Sequence, residues 1–194
     1  ALGAINITGA LNATATLGDI SNTGALSIGG NSVFTANAAG ASIAVANAGN
    51  NFTGSVGFAG TGGLANVSVL DTTALDLQAL NISGNLVATG AGITDSGAIV
   101  VNGTTTLTPG AGNTVVLNNA GNNFGGAVSV TNGTNVTVVK AALVNLRERL
   151  SIRSRTGEIS IGLNDSARWQ RTPQREQLQS GVSVPSTDSR TKLV

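Results

Sequence analysis

Isoleucine, valine and leucine alternate with small polar residues in short runs along most of this chain. Ile5/Ile7, Leu26/Ile28, Ile43/Val45, Val56/Phe58, Val67/Val69, Leu75/Leu77, Val115/Leu117, Val128/Val130 and Val136/Val138 each set two apolar side chains two positions apart. A period of two puts both on one face of a strand and leaves the other face to solvent. The runs start about every 9–13 residues and are separated by Gly, Asn, Thr and Ser, the residues of tight turns. A helical reading fails here, because Gly, Asn and β-branched residues dominate and no 3.6-residue stripe develops.

The runs belong to a larger period. Ala48-Gly-Asn-Asn-Phe52 returns as Ala120-Gly-Asn-Asn-Phe124. Upstream, Ile5-Asn-Ile-Thr-Gly9 matches Leu80-Asn-Ile-Ser-Gly84, and Thr23-Gly-Ala-Leu26 matches Ser96-Gly-Ala-Ile99. Downstream, Val56 matches Val128 and Phe58 matches Val130. The offset slips from 75 to 73 to 72, as two small deletions at turns would produce. A duplicated unit of many short strands points to a solenoid, in which each repeat stacks on its neighbour. Two or three strands per turn give rungs of roughly 20–25 residues, three or so per unit, stacked about 4.8 Å apart. The expected fold is therefore all-β: a right-handed parallel β-helix over residues 1–139, spanning about 30 Å, in two copies of the 72-residue unit. The two Ala-Gly-Asn-Asn-Phe motifs are expected on the same side of it, three rungs or about 14 Å apart.

Composition reinforces this and adds a boundary. Aromatic residues make up 3% and charged residues 10% of the chain, against a usual charged share of roughly 25%. Without bulky anchors the chain cannot fill a thick globular core, but it can repeat a thin one. Residues 1–139 hold four acids (Asp19, Asp71, Asp76 and Asp95) and no base, whereas all ten Lys and Arg fall at Lys140 or later, beside five acids. That shift divides the chain near residue 140. Beyond it, Leu143, Leu146 and Leu150 fit one face of a short helix over Ala141–Leu150, which would cap the last rung. Residues 140–165 are read as this capping helix and a transition, giving an irregular or partly helical C-terminal tail. Residues 166–194, rich in Arg, Gln, Ser and Pro, bury too little to fold and are read as a disordered or non-native, frame-shifted tail. Their removal is expected to leave the repeat's stability unchanged. The tail's bases have only Trp169 to interleave with them, a poor nucleic-acid signature.

Residue 1 is Ala, Met is 0 and the first thirteen residues lack a basic leader, so the chain reads as a piece of a longer, processed protein. No stretch approaches the 18 or so apolar residues of a spanning helix. Cys is 0, which removes disulfides and thiolate metal sites.

Leu2-Gly-Ala-Ile-Asn-Ile-Thr-Gly-Ala-Leu11, Asn22-Thr-Gly-Ala-Leu-Ser-Ile28, Gly110-Ala-Gly-Asn-Thr-Val-Val-Leu117 and the two Ala-Gly-Asn-Asn-Phe motifs resemble the repeats of filamentous haemagglutinin-like bacterial exoproteins, many exported by two-partner secretion. The resemblance covers about residues 1–144. It implies a β-helical stalk, secretion to the bacterial cell surface, and cell adhesion. The implied partners are receptors or glycans on host or neighbouring cells, and an outer-membrane transporter during export, with neither nucleic acid nor membrane insertion. Asn-Pro-Asn motifs of the family's secretion domain are missing, since Pro first occurs at Pro109.

Catalysis needs groups that attack or titrate. With no His, Cys or Tyr, a Ser–His–Asp triad, a Cys–His pair and histidine-based metal sites are excluded. Asp71 and Asp76 are the only close carboxylate pair. An acid and base for sugar cleavage is the functional reading, and a turn cap plus a solvent-facing side chain the structural one, which is preferred. The Gly-Gly-x-Gly-x-Asp calcium repeat is absent, as Gly62-Gly63 runs into Leu64 and Ala65. Thr14/Thr16 and Thr104/Thr106/Thr108 alternate as an ice-binding face would, yet Thr106 aligns with Val33 in the other copy, and β-propensity explains the threonines. Nine Asn-x-Ser/Thr sequons, among them Asn6, Asn12, Asn51, Asn66 and Asn81, are read as chance in an Asn- and Thr-rich repeat. Asn50-Asn51 and Asn122-Asn123 read as turns whose side chains bond to adjacent backbone. The chain is accordingly expected to be a non-enzymatic stalk with no catalytic, cofactor or metal residues. The alternative is a fragment of a β-helical polysaccharide-acting enzyme whose catalytic residues lie outside it.

Overall fold

A computed structural model describes residues 1–140 and the backbone of a strand at Ile159–Leu163. The chain winds into a parallel β-solenoid. The first circuit carries β1 (Ile5–Ile7), β2 (Leu11–Ala15) and β3 (Ile20–Ser21). The second carries β4 (Leu26–Ile28), β5 (Ser32–Ala36) and β6 (Ala41–Val45). The third carries β7 (Asn51–Phe52), β8 (Val56–Ala59) and β9 (Leu64–Leu70). These nine strands stack as three faces, β1-β4-β7, β2-β5-β8 and β3-β6-β9, and every pairing is parallel.

β10 (Leu75–Leu77) follows, and then a second set of nine: β11 (Leu80–Ile82), β12 (Leu86–Thr89), β13 (Ile93–Asp95), β14 (Ile99–Val101), β15 (Thr105–Thr108), β16 (Asn113–Leu117), β17 (Asn123–Phe124), β18 (Val128–Val130) and β19 (Gly133–Lys140). By the sequence matches, β11–β19 are the second copy of β1–β9. β20 (Ile159–Leu163) pairs in parallel with β19. This strand lies past the compositional boundary at residue 140 and was not anticipated. The capping helix expected at 141–150 and the tail at 166–194 lie outside the described residues.

The alternation is realised as expected. Leu26, Ile28, Ile43, Val45, Val56, Val67, Val69, Leu75, Leu77, Val115, Leu117, Val128, Val130, Val136 and Val138 are all buried. Ile5 and Ile7 are only half-buried, because no described rung lies beneath them. Phe34 stacks on Phe58 and meets Phe52 edge-on, with centroids 6.0 and 6.1 Å apart, so three of the four core phenylalanines cluster in the first copy, and Phe124 is buried in the second. Parallel in-register stacking also gives the low charge a physical reason. Equivalent outward positions recur about every 4.8 Å, a spacing at which columns of like charge repel.

Close stacking likewise dictates certain glycines. A Cβ at Gly24 would fall on the backbone of Ala4, and one at the matching Gly97 on the backbone of Ala79. Gly97→Val is expected to destabilise by about 2 kcal/mol or more. Gly9, with nothing within 4 Å of an added Cβ, should accept Ala with little change, and urea unfolding of the two variants reads the difference.

One expectation fails. The two Ala-Gly-Asn-Asn-Phe motifs do not share a side: β7 belongs to the sheet β1-β4-β7, whereas β17 belongs to β17-β14-β11-β9-β12-β15-β18. The reason is a mismatch between repeat length and circuit length. Ile5 pairs with Leu26 and Ser27 with Asn51, and the Thr72 amide bonds to the Asn50 carbonyl. Three circuits are thus complete by Thr72, yet the second copy begins its first strand only at Leu80. The intervening residues, including β10 on the second face, carry that copy onward around the axis. Its first two strands both land on β9, β11 at Leu64 and β12 at Val67–Leu70, and its third lands on β10. The separation of three rungs does hold, since β17 is three strands above β9.

Candidate functional site

The most elaborate polar arrangement of the described residues lies at the corners built by the repeated Asn pairs. In each copy the turn is the same: the Gly49 amide bonds to Asn47 Oδ1 and the Gly121 amide to Asn119 Oδ1, both at 2.9 Å. The Asn50 amide reaches the Asn47 carbonyl and the Asn122 amide the Asn119 carbonyl, both at 3.1 Å. These turns swing Asn50 and Asn122 into the interior, where each is 0% exposed. Asn50 Oδ1 accepts from the Leu26 amide (3.0 Å) and from Asn22 Nδ2 (2.7 Å), and its Nδ2 donates to the Val45 carbonyl (3.0 Å). Asn122 Oδ1 accepts from the Ile99 amide at 2.7 Å, and its Nδ2 donates to Asp95 Oδ2 at 2.6 Å. Asp95 also accepts from the Asn118 and Asn119 amides. Every interior corner amide thereby holds backbone of its own or the neighbouring rung, as the turn reading anticipated. Asn51 and Asn123 point outward from β7 and β17.

Asp71 and Asp76 are not brought together as a pair. Asp71 is buried at the corner before β10. Its Oδ1 accepts from the Phe52 amide (3.2 Å), the Thr73 amide (2.9 Å) and Thr73 Oγ1 (2.9 Å). Its Oδ2 is buried with no hydrogen-bond partner among the described residues. Asp76 points out of β10, half-buried, and accepts from Thr94 Oγ1 at 3.4 Å. An acid and base flanking a glycosidic bond need a shared cleft, and these two side chains face different environments.

The threonines stack only in short columns: Thr14 pairs with Thr35, above which comes Ala59. Thr108 stands between Thr89 and Thr131, 3.1 Å from Thr131 Oγ1, but Thr106 stands between Val87 and Ser129. A regular two-column lattice is not built. The hydroxyls of Ser32 and Thr105, matched positions in the two copies, face the interior and find no partner among the described residues. Alternation gave no warning of them, since both stand where an apolar residue is expected. Among the described residues no three His, Cys, Asp or Glu are grouped to hold a metal ion, and no helix is long and apolar enough to cross a membrane.

A stack of short parallel strands with polar corner ladders defines a β-solenoid repeat segment. The chain belongs to a family described as repeats of unknown function (DUF5649), whose model matches residues 1–59 and 64–131. The first stretch covers β1 to β8, and the second runs from β9 through β18. No curated protein and no solved structure matches the chain.

Proposed function

We propose that this chain is a non-catalytic structural and adhesive stalk segment of a large secreted bacterial surface protein. The observation that carries the reading is the brevity of its connections: from β1 to β19 no link between consecutive strands exceeds five residues. Binding and catalytic groups are usually borne on loops that a scaffold positions, and these corners are occupied in holding rung to rung. What the segment offers outward is a length of nearly uncharged surface rich in Asn, Thr and Ser, suited to spacing and to contact with receptors or glycans on another cell. The resemblance of its repeats to those of filamentous haemagglutinin-like exoproteins supports export and surface display.

The test couples the chain to beads and measures their retention on cell layers, while free chain is incubated with bacterial and plant polysaccharides. Retention above that of uncoated beads, with no release of reducing ends, is the expected result. Time-dependent release of reducing ends would overturn it in favour of a polysaccharide-acting enzyme.

A further inference from the structure

We propose that the join between the two copies is a hinge with β9 as its spine, along which the solenoid opens on its first and second faces before either copy unfolds. Backbone pairing across the join is uneven. On the third face it is continuous, since β9 pairs with β11 at Leu64 and with β12 from Val67 to Leu70. On the second face it shrinks to one position, Leu77 with Val56, supported by the Gln78 amide on the Val56 carbonyl. One rung lower the same strand, β8, is paired to β5 at four successive positions, Ser32–Thr35 with Val56–Ala59. On the first face the sheet ends at β7. There the Thr72 amide bonds to the Asn50 carbonyl, and the Phe52 amide turns to the carboxylate of Asp71 instead of a strand above.

Two further features fall on the same side. Asp71, which closes the first face, leaves its second oxygen buried and unpartnered among the described residues, an arrangement that weakens whatever it closes. An open groove lined by Phe58, Ala59, Ala79, Leu80, Asn81 and Val100 indents the outer surface where β8 and β11 meet. The ring contacts of Phe34, Phe52 and Phe58 all lie within the first copy, and across the join the core continues through aliphatic side chains such as Leu75, Leu77 and Leu80. In a solenoid, stability is a sum of repeats and nearest-neighbour interfaces, and cooperativity breaks at the weakest interface.

Native-state hydrogen exchange on the full chain, followed peptide by peptide at rising sub-denaturing urea, tests this. Amides of residues 52–58 and 72–78 are expected to exchange first, and residues 11–45 and 93–130 to open as two units with different urea dependence. Asp71→Ala, which strips the Phe52 amide of its acceptor, should speed exchange at the join by roughly tenfold. Asn122→Ala should speed exchange across 93–130 and leave 11–45 unchanged. A single isotherm for all amides, or equal acceleration of both copies by Asn122→Ala, would show one cooperative rod and overturn the hinge. Should Asp71→Ala not fold, the urea series on the unaltered chain decides by itself.

Discussion

Val56→Asp is expected to lower stability by at least about 4 kcal/mol, enough to leave the first copy largely unfolded near room temperature. Val56 is 0% exposed and lies on β8 between Ser32 of the rung below and Leu77 of the rung above. The substitution removes the transfer free energy of a buried valine, about 1.5–3 kcal/mol. It also places a carboxylate in a thin core whose repeat, residues 1–139, has no Lys or Arg to pair with it. Val128→Asp should do the same to the second copy, since Val128 is equally buried and pairs with Thr105. Circular dichroism through a thermal ramp reads both. An unchanged melting temperature for either variant would mean that the alternation runs the other way round.

The second large effect is expected at a polar residue. Asn122→Ala should cost about 3 kcal/mol, more than most surface or turn substitutions. The loss strands the buried Ile99 amide and takes from Asp95 its 2.6 Å contact with Asn122 Nδ2. A donor left without an acceptor in the interior carries its full desolvation cost, and a carboxylate deprived of a partner carries more. Asn51→Ala is the control, since that side chain points outward from β7 and is only half-buried. Urea midpoints should separate the two by several-fold in effect. Equal midpoints would show that the interior amides merely fill space.

Much of this architecture was legible from alternation alone. Pairs such as Leu75/Leu77 and Val136/Val138 name their strands because an inward-facing residue has no neighbour but the core. The Asn pairs were also readable, since Asn before Asn-Phe at a Gly corner has few uses other than turning the chain. What could not be read is how one circuit sits upon the next. The sequence offset between Ile5 and Leu80 measures similarity, while the angle about the axis depends on how much chain each circuit consumes. That length varies here: the circuit from Leu75 to its partner Ile93 is shorter than the one from Ser32 to its partner Val56. Nor could the sequence show that Asp71 is buried. Its neighbours Thr72, Thr73 and Ala74 are those of an exposed turn, and the Thr73 amide it holds is a local bond that such a turn predicts, whereas the Phe52 amide comes to it only because the β1-β4-β7 sheet ends there.

The placement of β7 and β17 in different sheets has a consequence for crowding. Two bulky molecules that each recognised the outward face of Asn51-Phe52 or Asn123-Phe124 would meet the rod from different directions. Were the copies in line, the sites would be about three rungs, or 14 Å, apart, and the first arrival would shut out the second. Turned about the axis, both can be filled at once. The residues between the copies thus set the relative direction of the two motifs, and adding or deleting a few of them would turn one against the other without altering either.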